Sequence, residues 1–406
     1  MHLRNIAALT LCFVSATVSS AQTWEQVASF PGVGRHHPVT FALDGFGYLV
    51  TGSTTGGSSI SDDFFRYDPV ADSWTVLPDF PGPDRTYSYG GQWGGKGYLG
   101  FGSGSVFLAD LWEYNPQTAL WTQLAPLPAL GRTHPAFVIT DDGKIFVGCG
   151  GAQTGNLKDW WEYDIATNIW VQRPDLPGPN RHHPYYFNIG NTPYVCFGHG
   201  AGIYKDVYRY NRDTNTWTRM DDLPSEGRVA GTQFSRGGKG YVLSGEDESH
   251  DQFPTGEMWE YDGVLDSWTQ LTPHPGEARW APGTFIIDET LYFTGGLLNS
   301  GLRSDMWKYS FLDPADVATP IGQRDDLFVV FPNPVRGQSV RIVELAQNAS
   351  SVSNVRVLNA GGREIVGLTS AGGAVDIPRS LAAGRYFLSF AAQDGTRHTR
   401  PITVIR

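Results

Sequence analysis

The chain has 406 residues and a formal net charge of -11; it is rich in glycine and aromatic residues (49 Gly, 13 Trp, 18 Tyr, 22 Phe), and only 17% of its residues are charged. The acidic balance argues against nucleic acid as a partner, because phosphate binding needs a basic surface. The length exceeds that of one ordinary domain, and the composition is typical of many short strands joined by glycine turns.

The first residues have the pattern of an export signal. A charged start precedes an apolar run from Ile6 to Val18, and small residues follow up to Ala21. We therefore expect residues 1–21 to be a signal peptide that is removed on export. The run is too short to span a bilayer, and no later apolar stretch approaches 18 residues, so we expect no membrane span in the mature chain.

Two cysteines remain in the mature chain, Cys149 and Cys196. Export permits a disulfide. The two residues nevertheless fall at different phases of neighbouring strands, and side chains alternate between the two faces of a strand. We predict two buried free thiols.

Six tryptophans recur every 47 to 51 residues, and an arginine follows each of them at an offset of 11. The tryptophans are Trp24, Trp74, Trp121, Trp170, Trp217 and Trp268, and the arginines are Arg35, Arg85, Arg132, Arg181, Arg228 and Arg279. A fixed period of this length predicts a repeat architecture.

The second repeat shows the pattern of one unit. It opens with Arg85, and strands are predicted at 87–92, 97–102, 110–115 and 121–124. Alternation of apolar and polar residues, bounded by Gly, Pro and Asn, indicates four short antiparallel strands in each unit.

Three further positions are matched in every unit: an aromatic residue in the second strand, a tyrosine in the third strand, and an acid four residues before that tyrosine. The aromatics are Tyr48, Tyr98, Phe146, Tyr194, Tyr241 and Tyr292; the tyrosines are Tyr67, Tyr114, Tyr163, Tyr210, Tyr261 and Tyr309; the acids are Asp63, Asp110, Asp159, Asp206, Glu257 and Asp305.

These units resemble the kelch repeat family. The resemblance rests on the opening arginine, on the Tyr-x-x-x-Gly element (as in 292–296), on the aromatic-x-Tyr-Asp/Asn strand and on the tryptophan, and it covers roughly residues 23–312. Most units carry one glycine where the family has a pair. The resemblance implies an all-β fold, a β-propeller in which each repeat forms one four-stranded blade.

The two ends of the repeat region complement each other. Asp316 stands where the sixth unit should have its tryptophan, whereas Trp24 heads a fourth strand with no repeat before it. We predict that this N-terminal strand completes the last blade, which gives a six-bladed propeller over residues 22–312. Closure of the ring removes strand edges that would promote aggregation.

After the repeats, residues 313–326 are expected to form a linker, because the aromatic rhythm stops and prolines appear. Residues 327–406 are expected to form a small β-sandwich. Its predicted strands are 328–331, 340–343, 352–358, 375–377, 386–390 and 401–405.

Three motifs of this C-terminal region resemble the sorting domain of the type IX secretion system of Bacteroidetes: Phe-Pro-Asn-Pro at 331–334, a strand and glycine turn at 357–363, and Leu-x-x-Gly-x-Tyr at 381–386. The resemblance implies export across the outer membrane by the secretion machinery, followed by release or attachment at the cell surface. An ordinary accessory sandwich is the alternative.

The position two residues after each arginine is the most suggestive one for a site. It holds His37, Tyr87, His134, His183, Ala230 and Ala281. Equivalent positions of a closed ring face one axis, so the three imidazoles are expected to converge at the mouth of the central channel. They would fix the turns there, bind a ligand such as an acidic sugar, or bind a transition metal. We favour the structural role and expect no metal.

The candidate ligand-binding residues at this mouth are Arg35, His37, Arg85, Tyr87, Arg132, His134, Arg181, His183, Arg228, Arg279 and Trp280. The arginines recur in every unit, so we expect them to bond carbonyls of the preceding Pro-rich turns rather than to act as catalysts. The fifth unit alone inserts an acidic loop at 246–251, which is a candidate calcium site or an ordinary solvated loop.

Common enzyme motifs are absent from the mature sequence, including Gly-x-Ser-x-Gly, phosphate-binding glycine loops and His-Glu-x-x-His. We therefore expect a secreted or surface propeller that binds a glycan or a protein and has no cofactor and no chemistry of its own. The alternative is a cofactor-free sugar epimerase or mutarotase, similar to the sialic acid mutarotases of the kelch family.

Overall fold

The computed structural model describes residues 23–54, 60–311, 328–331, 339–344, 352–358, 364–368, 370–371, 374–378, 380–382, 384–391 and 397–404. Within these ranges every regular element is a β-strand, and no helix is long and apolar enough to cross a membrane. The expected signal peptide (1–21) and linker (313–326) lie outside the described residues.

The first 28 strands follow one another between residues 23 and 311. In chain order they are β1 (Trp24–Val27), β2 (Val39–Leu43), β3 (Phe46–Val50), β4 (Phe64–Asp68), β5 (Ser73–Leu77), β6 (Tyr89–Trp93), β7 (Lys96–Gly100), β8 (Leu111–Asn115), β9 (Leu120–Leu124), β10 (Ala136–Ile139), β11 (Lys144–Gly148), β12 (Gly151–Ala152), β13 (Gly155–Asn156), β14 (Trp160–Asp164), β15 (Ile169–Arg173), β16 (Tyr185–Ile189), β17 (Thr192–Cys196), β18 (Val207–Asn211), β19 (Thr216–Met220), β20 (Thr232–Arg236), β21 (Lys239–Leu243), β22 (Gly256–Asp262), β23 (Ser267–His274), β24 (Gly283–Ile287), β25 (Thr290–Thr294), β26 (Leu297–Leu298), β27 (Gly301–Leu302) and β28 (Met306–Ser310).

These strands form six four-stranded antiparallel sheets and two short hairpins. Sheets 1 to 6 have the strand orders β2-β3-β4-β5, β6-β7-β8-β9, β10-β11-β14-β15, β16-β17-β18-β19, β20-β21-β22-β23 and β24-β25-β28-β1, and the hairpins are β12-β13 and β26-β27. The prediction of four antiparallel strands per unit is confirmed.

Sheet 6 takes its outer strand from the other end of the repeat region. β1 pairs with β28, and Trp24 stands opposite Tyr309, just as Trp74 stands opposite Tyr67 in sheet 1. The prediction that an N-terminal strand completes the last sheet is therefore confirmed.

The six sheets are arranged in a closed ring. The first strand of each sheet contacts the first strand of the next, and β24 of sheet 6 contacts β2 of sheet 1. The first strands thus surround a central channel, and each of them starts at the same end of it.

The core lies between neighbouring sheets and is built largely from the repeated aromatic residues. In sheet 3, the rings of Tyr163 and Trp170 pack with their centroids 4.9 Å apart. The indole Nε1 of Trp170 donates to the carbonyl of Ala125, which follows sheet 2, at 2.8 Å. Burial of such large rings, with the indole N–H satisfied, ties one sheet to the one before it. Cys149 and Cys196 are buried free thiols, as predicted.

Eight further strands belong to the C-terminal region: β29 (Phe328–Phe331), β30 (Ser339–Glu344), β31 (Ser353–Leu358), β32 (Glu364–Leu368), β33 (Ser370–Ala371), β34 (Ala374–Asp376), β35 (Gly384–Ala391) and β36 (Arg397–Val404). They form two antiparallel sheets, β29-β30-β34-β33 and β32-β31-β35-β36. Val375 of the first sheet shares a buried cluster with Val357 and Leu388 of the second. The six predicted strands are present, and β32 and β33 were missed. Motif residues 332–334 and 359–363 lie outside the described residues.

Candidate functional site

Each of the six sheets is entered through a sharp turn at the position two residues after its arginine. The backbone φ is 53° at His37, 61° at Tyr87, 51° at His134, 51° at His183, 55° at Ala230 and 47° at Ala281. A left-handed φ is uncommon for residues with a side chain, and here it recurs in every sheet. The N–H of His134 donates to the carbonyl of Tyr87, and the N–H of His183 donates to that of His134, both at 3.1 Å. These positions therefore form a ring of turns at one end of the channel.

The six arginines do not line this ring, because each is buried within its own sheet. Arg132 shows the arrangement: its Nε donates to the carbonyl of Leu130 at 3.2 Å, its Nη1 donates to that of Cys149 at 3.1 Å, and the guanidinium pairs with Asp159 at 2.7 Å. The expected bond to the preceding turn is confirmed there.

The matched acids of the repeat are the partners of the arginines, a pairing that the repeat pattern alone did not predict. The pairs are Arg35–Asp63 (2.7 Å), Arg85–Asp110 (2.6 Å), Arg132–Asp159 (2.7 Å), Arg181–Asp206 (2.5 Å), Arg228–Glu257 (2.9 Å) and Arg279–Asp305 (2.7 Å). Because these guanidinium groups are buried and paired within the sheets, we leave the arginines out of the proposed site.

The three histidines of the ring meet on the channel axis. His37 comes from sheet 1 and His183 from sheet 4, which are opposite in the ring, and their Nε2 atoms are 2.7 Å apart. The ring of His134, from sheet 3, lies with its centroid 3.5 Å from that of His183. The structure thus brings the three predicted imidazoles together.

Above these histidines lies a cavity of ≈580 Å³, which we call the mouth cavity. Its walls are His36, Tyr87, His134, His182, His183, His199, Val229, Glu246, His250, Trp280 and Leu297. Of the predicted ligand-binding residues, Tyr87, His134, His183 and Trp280 lie in this wall, and His37 packs against Trp280 with ring centroids 4.7 Å apart. Together with His37, the wall brings together seven of the ten histidines of the chain.

Five ionisable residues of the mouth cavity were not among the candidate ligand-binding residues: His36, His182, His199, Glu246 and His250. His199 forms an isolated bridge with His182, and Glu246 forms the equivalent bridge with Val229. Both stand 18 residues after the arginine of their unit. That offset was a detectable signal, but it becomes meaningful only once the pairing of strands is known.

Burial controls the charge of the mouth cavity. It lowers the pKa of His36 to about 4, and it lowers the pKa of His182 to about 4, with a further contribution from the neighbouring His199. Burial also holds the pKa values of His37, His134 and His183 well below 6.5. These imidazoles are therefore neutral near pH 7.

The carboxyl group of Glu246 is the acidic member of the cavity. Burial raises its pKa, and the hydrogen bond with His250 opposes that shift. The Nδ1 atom of His250 lies 3.4 Å from a carboxylate oxygen of Glu246. The ring of His250 packs against that of His199 with centroids 4.7 Å apart. A carboxyl group with a raised pKa beside neutral imidazoles is the arrangement that acid–base chemistry needs.

Known proteins resemble this chain in fold and, over a shorter segment, in sequence. No protein-family model matches the chain. The solved structure of YjhT superposes with a TM-score of 0.57 and 16% identity, over 69% of this chain and 96% of that one. The fold is a kelch-like β-propeller.

The curated relatives match only a segment of the propeller chain. The N-acetylneuraminate epimerases of Haemophilus influenzae strains PittEE and 86-028NP are each 28% identical to it in an alignment 166 residues long, and the match covers 32% of this chain and 44% of the relative. The chain therefore matches less than half the length of these relatives, and the similarity alone does not assign their activity.

A second, smaller cavity of ≈250 Å³ lies along the channel, on the other side of the three histidines. Its wall includes His37, Thr40, Gln92, Tyr186 and Gln233 and carries no carboxylate or guanidinium group. The ionisable groups of the channel are thus concentrated at the mouth.

The acidic loop at 246–251 does not gather oxygen ligands around one point. A carboxylate oxygen of Asp247 accepts the backbone N–H groups of Ser249 (2.8 Å) and Asp251 (3.0 Å). Glu246 instead faces His250 in the mouth cavity. We therefore do not retain the calcium interpretation of this loop.

Proposed function

We propose that residues 22–312 form a six-bladed kelch propeller whose mouth cavity binds a sugar and interconverts its anomers by general acid–base catalysis. The observation that carries this proposal is the pairing of Glu246 with His250 in a cavity walled by partly exposed aromatic rings. The segmental similarity to N-acetylneuraminate epimerases supports the same class of reaction. From the sequence alone, a binding protein without chemistry was favoured and a sugar epimerase or mutarotase was the alternative. The mouth cavity favours the second of these.

Anomer interconversion needs no redox cofactor, because the sugar neither gains nor loses electrons. A base takes the proton of the anomeric hydroxyl group, and an acid donates a proton to the ring oxygen. The bond between that oxygen and the anomeric carbon then breaks as a carbonyl group forms. After the carbonyl rotates, the ring recloses from the other face and both protons return to their donors.

The mouth cavity offers a candidate for each role. Glu246 in its protonated form suits the acid, because burial raises its pKa. His199 suits the base, because burial lowers its pKa and keeps the imidazole neutral. Trp280 and Tyr87 would present their ring faces to the C–H face of the sugar.

The wall also limits the class of sugar. It contains one carboxylate and no guanidinium group, whereas tight recognition of an acidic sugar commonly uses arginine. The side chains of the cavity therefore favour a neutral sugar. N-acetylneuraminate, which is named for the curated relatives, is included in the test as a second kind of sugar.

The test measures anomer exchange by NMR in a panel of neutral hexoses and N-acetylneuraminate. We expect the protein to accelerate exchange of at least one sugar, and Glu246→Gln to reduce the acceleration by about 100-fold or more. Glu277→Gln is the matched control, since Glu277 is exposed and outside the mouth cavity. Binding that Trp280→Ala weakens, with no exchange, would make the protein a binding module instead. No binding and no exchange across the panel would refute the proposal.

We further propose that residues 327–406 form a small β-sandwich that directs the chain through the type IX secretion machinery, after the signal peptide at 1–21 has taken it across the inner membrane. The protein would then be secreted or held at the cell surface. The two sheets with a common buried cluster support this proposal, as does the position of the Gly-x-Tyr segment at the start of β35.

Export is tested in a bacterium that has this secretion system. The full chain is expected outside the cell, and a chain that lacks residues 327–406 is expected to accumulate in the periplasm. A chain that lacks residues 1–21 should stay in the cytoplasm and serves as the control. Appearance of the C-terminally shortened chain outside the cell would exclude a sorting role.

A further inference from the structure

The three histidines on the axis have the geometry of a preformed ligand set. One ring nitrogen from each of His37, His134 and His183 lies within 4.8 Å of those of the other two. The ligands come from three sheets, and their backbones are fixed by the ring of left-handed turns described above. The set is therefore positioned by the whole ring rather than by one flexible loop.

The hydrogen bonds around His37 and His183 direct their Nε2 atoms toward one point on the axis. His36 lies behind His37, with their Nδ1 atoms 2.7 Å apart. When Nδ1 of His37 donates to His36, its Nε2 lone pair points toward the axis, which is how an outer residue orients a metal-binding histidine. Nε2 of His183 lies 2.7 Å from Nε2 of His37 and is hydrogen-bonded to it. A bound ion would take the place of this hydrogen bond and of the proton in it.

His134 supplies a second, independent observation. Both of its ring nitrogens are buried, and neither has a hydrogen-bond partner among the described residues. A buried polar atom without a partner costs about 1–3 kcal/mol, and native proteins rarely leave one without a reason. Coordination of an ion on the axis would satisfy one of these nitrogens.

The chemistry of the set selects the kind of ion. All three ligands are imidazoles, which bind a metal ion through the lone pair of a ring nitrogen. Neutral nitrogen ligands suit Zn²⁺, Cu²⁺, Ni²⁺ and Co²⁺, whereas Ca²⁺ and Mg²⁺ require oxygen ligands. Three histidines with a fourth position left open form a known type of zinc site.

We propose that His37, His134 and His183 bind a transition-metal ion such as Zn²⁺ and that its open coordination position faces the mouth cavity. A tetrahedral ion with Zn–N bonds of about 2.0–2.1 Å holds its ligand nitrogens about 3.3 Å apart. The ligand nitrogens now lie within 4.8 Å of one another, so binding requires the rings to rotate until the nitrogens reach that spacing. This replaces the expectation of a metal-free site and does not depend on the sugar chemistry proposed above.

The ion would change which ligand the mouth prefers. A divalent cation beneath the cavity places positive charge below a wall that otherwise has only the carboxylate of Glu246. An anionic group, such as the carboxylate of an acidic sugar, could then occupy the open position. The metal-loaded protein is therefore expected to bind acidic sugars better than the metal-free protein does.

The test uses the full-length chain without an affinity tag, freed of metal by a chelator. Isothermal titration with Zn²⁺ is expected to give one site per chain, and Co²⁺ is expected to give the visible absorption of a tetrahedral nitrogen site. His134→Ala and His183→Ala should each weaken Zn²⁺ binding by at least about 100-fold. His36→Ala should weaken it by about 10- to 100-fold through the orientation of His37.

His274→Gln is the matched control, because this histidine is also buried but lies at the end of β23, outside the mouth cavity and the ligand set, and it should leave the affinity within about threefold. Circular dichroism checks that each variant is folded. If His134→Ala does not fold, His134→Gln replaces it. Equal Zn²⁺ affinity in the wild type and the His134 and His183 variants would overturn the proposal, as would the absence of a one-to-one site. Sugar exchange is measured separately on the metal-free protein, so the two proposals can fail independently.

Discussion

Arg132 and Asp159 show why a residue required in every repeat is not the place to look for a ligand. The arginine side chain is fully buried, and its two Nη atoms bind the two carboxylate oxygens at 2.7 and 2.8 Å. Asp159 also accepts the indole N–H of Trp161 at 2.9 Å. The group links the turn that enters the sheet to the third strand of the same sheet, which is a structural task that each sheet repeats.

Removal of one partner from this pair should be costly, because it leaves a buried charge without compensation. We expect Arg132→Met to lower the free energy of unfolding by about 3–5 kcal/mol. Arg212→Met is the matched control, since Arg212 and Asp142 also form a two-bond pair but remain partly exposed; such pairs contribute about 0–1 kcal/mol. Denaturant unfolding measures both, and equal losses would contradict the structural role of Arg132.

His274 predicts how stability depends on pH. The residue is buried at the end of β23, where its Nδ1 donates to the carbonyl of Pro275 at 2.9 Å. Burial, with help from Arg279, lowers its pKa to about 4, whereas the unfolded chain has a histidine pKa of about 6.5. Between these values the unfolded state binds more protons, so stability is complete above about pH 6.5 and is lost as the pH falls toward 4.

This one histidine should therefore remove about 2 kcal/mol of stability between pH 7 and pH 5. His274→Gln is expected to reduce the difference between the unfolding free energies at these two pH values by that amount, whatever its effect at pH 7. The comparison is made within each protein by urea unfolding at both pH values. An unchanged difference in the variant would show that His274 is not held neutral by burial.

The site was only partly predictable from single residues. The position two after each arginine was visible as a matched column with three histidines, so His37, His134 and His183 could be named without coordinates. His199 and Glu246 belong to another column, whose other members are Ser53, Ser103, Gly151 and Leu297 and which therefore shows no repeated residue type. Their approach to the histidines depends on the register of bridges between turns, and no local pattern encodes that register.

At the scale of one sheet, the glycine that ends the Tyr-x-x-x-Gly element has a steric cause. Gly150 follows β11 with a φ of 94°, and a Cβ atom there would lie 2.6 Å from the carbonyl oxygen of Thr133. The preceding residue, Cys149, has a φ of 56°, which a residue with a side chain can adopt at a cost. The kelch family has a pair of glycines at these two positions. In this protein the first is replaceable, as Cys149 shows, and the second, Gly150, is not.

Gly150→Ala is therefore expected to lower the free energy of unfolding by about 3 kcal/mol or more, from backbone strain combined with a contact to a rigid carbonyl. Gly155→Ala is the matched control, because Gly155 has a φ of 110° but open space around its Cβ position. The control should cost about 1–2 kcal/mol. Thermal unfolding compares the two variants, and equal costs would show that the contact with Thr133 does not matter.

The sequence predicted the number of strands better than the residues at which each strand begins and ends. The prediction at 110–115 agrees with β8, whereas the one at 87–92 starts two residues before β6. Tyr87 and Ser88 belong to the left-handed turn at the mouth, and alternation of residue types cannot distinguish such a turn from the start of a strand. Of the two residues lost from the predicted strand, Tyr87 lies in the wall of the mouth cavity.

At the scale of the whole molecule, closure of the ring depends on a strand remote in sequence from its partner. The ring centroids of Trp24 and Tyr309 are 5.2 Å apart, and those of the equivalent Trp74 and Tyr67 are 5.1 Å apart. The last sheet is thus completed with the same packing as the first. Since the three axial histidines come from sheets 1, 3 and 4, their spacing depends on a ring that stays closed.

Removal of the closing strand should therefore loosen the entire ring. We expect deletion of residues 23–30 to lower the melting temperature sharply, because it exposes the edge of β28 and removes the indole from sheet 6. A peptide of residues 23–30, added in excess, should restore much of the loss by pairing with that edge, and a scrambled peptide should not.

Substitution of Trp24 tests whether β1 closes the ring without removing any residue. Trp24→Ala and Trp74→Ala remove half-buried rings from equivalent positions, so each should cost about 2–3 kcal/mol. A much smaller cost for Trp24→Ala would mean that β1 does not close the ring in solution. In that case the spacing of the axial histidines would not be fixed, and Zn²⁺ affinity should be the same in the Trp24 variant and the wild type. A closed ring instead predicts weaker Zn²⁺ binding in the Trp24 variant, measured by the same titration.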